Sequence, residues 1–192
     1  MHERTDVMPE AVILEVDALA DRVVERSRNG TVKARVSHLH EVLFEEDSFR
    51  GGEDEDHDPR GSYLPCVLRR RRGLPITLSL LYREVAARVG IDAVGIGAPG
   101  HFLVEVRLPE GPMIVDPFHG GRPLTAEEAF NRIDEISGGR VPRTTSWLDP
   151  VTEREWISRL IRNLVSLFAA RSRQKDLSAM LELLSLVSPI RR

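Results

Sequence analysis

Apolar residues recur along this chain first at helical spacing, then at strand spacing, then at helical spacing again. From Pro9 to about Arg28, Val12, Val16, Leu19, Val23 and Val24 share one helical face, with Pro9 in the first turn and Asn29-Gly30 as a stop. Thr31 can cap a second helix whose stripe is Val32, Val36, Leu39, Val42 and Leu43, ending near Glu46. Residues 1–50 are therefore expected to form a helical hairpin. Phe49 to Gly61 holds glycine, proline and charge without an apolar period, which predicts a surface loop.

Ser62 is placed to cap a short helix carrying Leu64, Val67 and Leu68 and ending in Arg69 to Arg72 before Gly73. Pro75 then sits in the first turn of a stronger helix, with Leu78, Leu81, Tyr82, Val85 and Val89 on one face and Gly90 at its end. Beyond Gly90 the period changes. Ile91–Gly97, His101–Leu108 and Met113–Asp116 are short alternating or β-branched segments, separated by Pro99-Gly100 and by Pro109-Glu110-Gly111-Pro112. They predict three strands in an antiparallel meander.

Helical spacing returns twice behind capping boxes, Thr125 with Glu128 for a helix to about Ile136, and Thr152 with Glu155 for a long helix through Leu160, Leu164 and Leu167. A last helix is expected from about Leu177 to Val187. The pattern as a whole is α+β. It divides into a helical hairpin (1–50), a core with an antiparallel sheet (51–136) and a C-terminal helical extension (137–192).

Composition narrows the function classes. At 41% hydrophobic and 30% charged residues the chain has the balance of a folded globular protein. A net charge of −3 gives no global attraction to nucleic acid or to an anionic membrane. The start, Met1-His2-Glu3-Arg4-Thr5-Asp6, lacks the pattern of a secretory signal, and no long apolar run suggests a membrane span, so a cytoplasmic location is expected. With one cysteine, Cys66, neither an internal disulfide nor a cysteine-rich zinc cluster can form.

Chemistry concentrates where the helix beginning at Pro75 meets the strands. His101 follows Pro99-Gly100 and Asp116 ends the third strand, so two strand ends can bring an imidazole and a carboxylate into hydrogen-bonding distance. The stretches Asp58-Pro59-Arg60-Gly61-Ser62-Tyr63-Leu64, Gly73-Leu74-Pro75-Ile76-Thr77-Leu78-Ser79, Pro99-Gly100-His101-Phe102-Leu103-Val104 and Asp116-Pro117-Phe118 resemble the SirB family of bacterial proteins. Arg162-Asn163-Leu164 fits the same pattern, whereas Gly61 stands where the family usually has Asn. The resemblance implies a transglutaminase-like core of the papain-like superfold, joined to tetratricopeptide-like helices of which one pair is present here.

Enzymes of that superfold place a cysteine at the start of the helix before the catalytic strands, and alignment on Gly90 puts Pro75 at that position. Proline carries no nucleophile. The resemblance therefore implies a triad remnant, His101 and Asp116 without the thiol. The favoured reading is a non-catalytic binding or regulatory module. Its cleft would be lined by Pro75, Ile76, Thr77, His101 and Asp116, with the Ile76 and Thr77 amides free to receive a ligand carbonyl or carboxylate. The expected ligand is a peptide segment or small molecule from an unidentified partner, and no cofactor or metal is expected.

Two other readings compete with it. One is a hydrolase or acyl-transferase using Cys66, Thr77 or Ser79; the other is an interaction scaffold working through the C-terminal helices. Cys66 falls mid-helix, where lone cysteines usually pack as small hydrophobes, and first-turn hydroxyls more often cap or pack than react. The run Arg69–Arg72 complements a helix C-terminus in any protein. Asp54, Asp56 and Asp58 alternate like a calcium loop, but Pro59 and Pro65 occupy the positions that need Gly and Glu. His38 and His40 are two apart on a helix, so they face apart and cannot share a metal.

Overall fold

A computed structural model describes residues 8–28, 30–52 and 57–187, so Asn29, Asp54 and Asp56, named above, lie outside the described residues. α1 (Pro9–Arg26) and α2 (Val32–His40) pack on each other, and the Thr31 hydroxyl caps α2 by accepting from the Ala34 amide at 3.2 Å. The final turn expected of α2 widens into a π-helical segment, Glu41–Glu46, which buries Val42 and Leu43. Arg22 of α1 ties that segment down through Glu46 at 2.7 Å and Asp47 at 2.9 Å.

The cap predicted at Ser62 does not form. Pro59–Ser62 is a 3₁₀ turn capped by Asp58, whose carboxylate accepts from the Arg60 amide at 2.9 Å, and α3 (Leu64–Arg70) starts after an extended Tyr63. Pro59 and Pro65 each fit a first helical turn, so the segment breaks into two short helices where one was expected. α4 (Pro75–Arg88) then runs through the middle of the molecule, with Leu78, Leu81, Tyr82, Val85 and Ala86 buried.

The sheet has four strands in the order β1-β2-β3-β4, all antiparallel: β1 (Ala93–Ile96), β2 (Leu103–Leu108), β3 (Gly111–Asp116) and β4 (Arg122–Leu124). The meander is as expected, with an edge strand added. β4 escaped notice because it is three residues long and contains Pro123, which lacks the N–H a central strand would need. The other difference concerns His101, which precedes β2 by two residues instead of opening it.

Strand alternation sends the two sheet faces to different helices. Val104, Val106 and Val115 join α1, α2 and α4 in the largest apolar cluster. Ile96, Leu103 and Leu124 pack on the other side with Ala129 of α5 (Ala126–Ser137), which begins with the predicted Thr125–Glu128 capping box. α6 (Glu153–Ala170) begins with the Thr152–Glu155 box, and α7 (Gln174–Val187) starts three residues earlier than its apolar pattern implied.

α6 does more than extend the core. Its Trp156 ring packs 4.5 Å from Phe102 and donates through Nε1 to the Ile76 carbonyl at 3.3 Å. Gly95 makes the approach possible, since a Cβ there would lie 2.3 Å from the Trp156 ring. The N-terminus of α4, the segment before β2 and one face of α6 thus meet at a single corner.

Candidate functional site

Asp116 stands behind that corner, hydrogen-bonded to His101. Its side chain is 1% exposed, and the 3₁₀ turn that follows, Pro117–His119, points two backbone amides back at it. Oδ1 accepts from the Phe118 amide at 3.1 Å and the His119 amide at 3.3 Å. Oδ2 takes both neighbouring imidazoles, His101 Nε2 at 3.1 Å and His119 Nδ1 at 2.7 Å. Burial alone would raise the Asp116 pKa, but the hydrogen bonds and charges of His101 and His119 outweigh it and hold the carboxyl well below the usual carboxylate range.

An ionised carboxylate only accepts, so both imidazoles must donate to it. His101 therefore carries its proton on Nε2 and, when neutral, leaves Nδ1 as the lone-pair nitrogen. His119 carries a proton on Nδ1, and its Nε2 accepts from Arg132 Nη1 at 2.9 Å. The donor atoms of His101, Asp116 and His119 lie within 4.8 Å of one another, a set that suits a small divalent cation. In the present geometry protons occupy those positions, and hydrogen bonding accounts for the cluster.

His101 faces a cavity of about 340 Å³ whose wall includes Leu74, Pro75, Ile76 and Phe102 on one side and Arg159, Asn163 and Ser166 of α6 on the other. Pro75 is the first residue of α4, so the helix start and the histidine border one space. The segment that carries His101 is held from both ends. Gly100 adopts φ +69°, a conformation side chains disfavour, and Arg159 Nη2 donates to the carbonyls of Ala98 and of His101, the latter at 2.9 Å.

The other predicted residues fare differently. Asp116 stands behind His101 and does not line the cavity. Thr77 is fully buried and absent from the wall, and its amide is not free, because it donates to the Leu74 carbonyl at 3.1 Å in the tight first turn. Ser79 donates to the Phe102 carbonyl at 3.4 Å. Cys66 is 2% exposed on α3 and does not border the cavity. The basic run is engaged locally: Arg70 with Asp58 at 3.3 Å, Arg71 with Asp47 at 3.2 Å and over the Phe49 ring, and Arg72 with the Ser48 carbonyl. His38 pairs with Glu41, while His40 turns inward to Tyr82, so the two face apart as their spacing implied.

The sequence reading missed His119, Ser62 and Arg159. His119 follows Asp116 by three residues, and only a 3₁₀ turn makes that spacing a contact. Ser62, assigned as a cap, is buried in the cavity wall. Arg159, Asn163 and Ser166 recur at helical spacing along α6 and all line the cavity, a polar stripe beside the apolar one that the sequence already carries.

Residues 10–162 match the transglutaminase-like superfamily. The chain is similar to UPF0162 proteins of Xylella fastidiosa (41% identity over 142 residues, 72% of this chain and 50% of the relative) and Pseudomonas aeruginosa (35% over 120 residues, 62% and 43%). It also resembles the mouse F-box only protein 21, at 30% identity over 134 residues, 66% of this chain and 20% of that protein. The chain thus spans half or less of the length of these relatives. A crystal structure of a TGase aligns over 87% of this chain and 51% of its own, with 14% identity and a TM-score of 0.49.

Proposed function

We propose that this chain, which belongs to the transglutaminase-like superfamily, is a non-catalytic binding module of the SirB type whose cleft between α4 and α6 captures a peptide segment or small ligand. The observation that carries the reading is that Pro75, at the first position of α4, shares one cavity with an Asp-oriented His101. A proline there offers neither a nucleophile nor its own N–H to an oxyanion, so the corner keeps the orienting dyad and lacks the attacking group. What remains suits recognition. Nδ1 of the neutral His101 ring is an acceptor, the Ile76 amide is a first-turn donor, and Leu74, Ile76 and Phe102 supply apolar wall. A cytoplasmic, regulatory role through a protein or peptide partner is the setting we attach to it.

Hydroxyl-based acyl transfer is the second reading. Of the hydroxyls and thiol considered, Cys66, Thr77 and Ser79 stand off the cavity, whereas Ser62 lines it together with His101. The experiment is a pair of assays on the same preparation: turnover of a panel of activated esters and peptide amides, and imidazole NMR of His101 during titration with a short-peptide mixture. Saturable shifts at His101 without turnover support the binding module. Turnover abolished by both Ser62→Ala and His101→Ala would replace it with the enzyme.

A further inference from the structure

Among the described residues, Arg159 is the one cation on the cavity wall whose charge is not answered. Asp58, on the same wall, is already matched by Arg60 at 2.8 Å and Arg70 at 3.3 Å. Arg159 is half-buried, and among the described residues no carboxylate lies within ion-pair distance of it. Both of its hydrogen bonds leave from Nη2, to the carbonyls of Ala98 and His101, and its guanidinium lies 5.5 Å from the Phe102 ring centroid. Nε and Nη1 therefore keep their N–H donors unmatched by any protein acceptor among the described residues. Burial also lowers the Arg159 pKa, the mark of a cation taken from water without a counter-charge.

Such a group is costly to hold in a protein unless an anion meets it. A guanidinium N–H makes a charge-assisted hydrogen bond to an oxyanion, and Nε and Nη1 each offer one here. Asn163 and Ser166, one and two turns further along α6, add neutral donors on the same wall. His101 borders the same cavity, and Nδ1 of its neutral ring is an acceptor without a partner among the described residues, so the wall can take both an anion and an N–H. A volume of about 340 Å³ is that of a small-molecule or terminal-dipeptide site.

The geometry points to a carboxylate-bearing ligand, with a free N–H of Arg159, on Nη1 or Nε, donating to the carboxylate and Nδ1 of neutral His101 accepting an N–H from the neighbouring amide: a peptide C-terminus. This assignment rests on the reading of the cleft as a binding site and adds the chemistry that selects the occupant. Arg159 is then both the donor to the anion and the brace of the His101 segment.

The test titrates the full chain with N-acetyl-glycyl-leucine, with the same dipeptide as its C-terminal amide, and with sodium acetate, following the imidazole signals of His101 and the side-chain amide of Asn163. The free acid should bind at least tenfold more tightly than the amide and move both signals. Acetate should move the Asn163 signal but leave that of His101, which separates a peptide terminus from a free carboxylate. Ser166→Glu places a competing carboxylate on the wall without touching the brace, and should weaken the acid at least fivefold while sparing the amide. Arg159→Lys should keep a preference for the acid and Arg159→Met should lose it. If Arg159→Met fails to fold, Ser166→Glu still decides the matter. Equal affinity for acid and amide overturns the carboxylate assignment and leaves the cleft as a binding site. Failure of every probe to move either signal overturns both.

Discussion

Replacing Asp116 with Asn probes the centre of the site. The native carboxylate accepts two backbone amides on Oδ1 and two imidazoles on Oδ2. An Asn whose oxygen stays with the backbone amides turns its NH₂ towards two imidazole N–H groups. His101 can answer by moving its proton to Nδ1 and accepting through Nε2. His119 cannot follow, because Arg132 already donates to its Nε2, so one imidazole bond is lost outright. A buried hydrogen bond to a charged group contributes about 1.5–3 kcal/mol, and for a domain of this size that lowers the melting temperature by roughly 3 to 12 °C. Two-bond proton–nitrogen spectra of the imidazoles report the tautomer, and thermal denaturation reports the stability. An Asp116→Asn protein whose His101 keeps Nε2–H and whose melting temperature falls by less than about 1 °C would refute the assigned hydrogen-bond directions.

Pro75→Cys places a thiol at the start of α4, on the cavity that His101 borders. At neutral pH its alkylation should outpace that of Cys66 in the parent by roughly tenfold or more, and adding His101→Asn should remove the gain. Cysteine that stays inert there, in a folded protein, would place the helix start and the histidine out of reach of each other. His40 is buried against the Tyr82 hydroxyl at 2.9 Å, and burial lowers its pKa from 6.5 to about 4. The unfolded chain therefore binds more protons between those values, so stability should fall as pH drops from 6.5 to about 4, by up to about 3 kcal/mol, and His40→Gln should flatten that slope in denaturant titrations. The Asp116 contribution is depressed from 3.8, so it is intact throughout that window and is lost only at lower pH. Gly95→Ala should destabilise by about 1–3 kcal/mol in chemical denaturation, because the new Cβ meets the Trp156 ring at 2.3 Å and the Phe102 ring at 2.7 Å. An Ala variant as stable as the parent would show that α6 does not pack on β1 as described.

Local signals in the chain were sufficient for most of the elements. Proline in the first turns of α1 and α4, the Thr31 cap, the two capping boxes and the change from helical to alternating period place their elements within a few residues, because each depends on neighbours at most four positions away. The His101–Asp116 contact was also legible, since a hairpin converts a separation of fifteen residues into adjacency. That Pro75 stands at the superfamily's cysteine position was an expectation from the family resemblance, counted back from Gly90. The rest depended on folding. The second imidazole on Asp116 is created by a 3₁₀ turn, the tight α4 start hides the Thr77 amide that the linear reading left open, and Ser62 reaches the cavity because two prolines split its helix. Arg159 lies 58 positions beyond His101 and is otherwise an ordinary polar residue on an amphipathic helix. Its meaning appears only when α6 packs over Gly95 and Phe102, since an exposed guanidinium needs no partner and a half-buried one beside a cavity does.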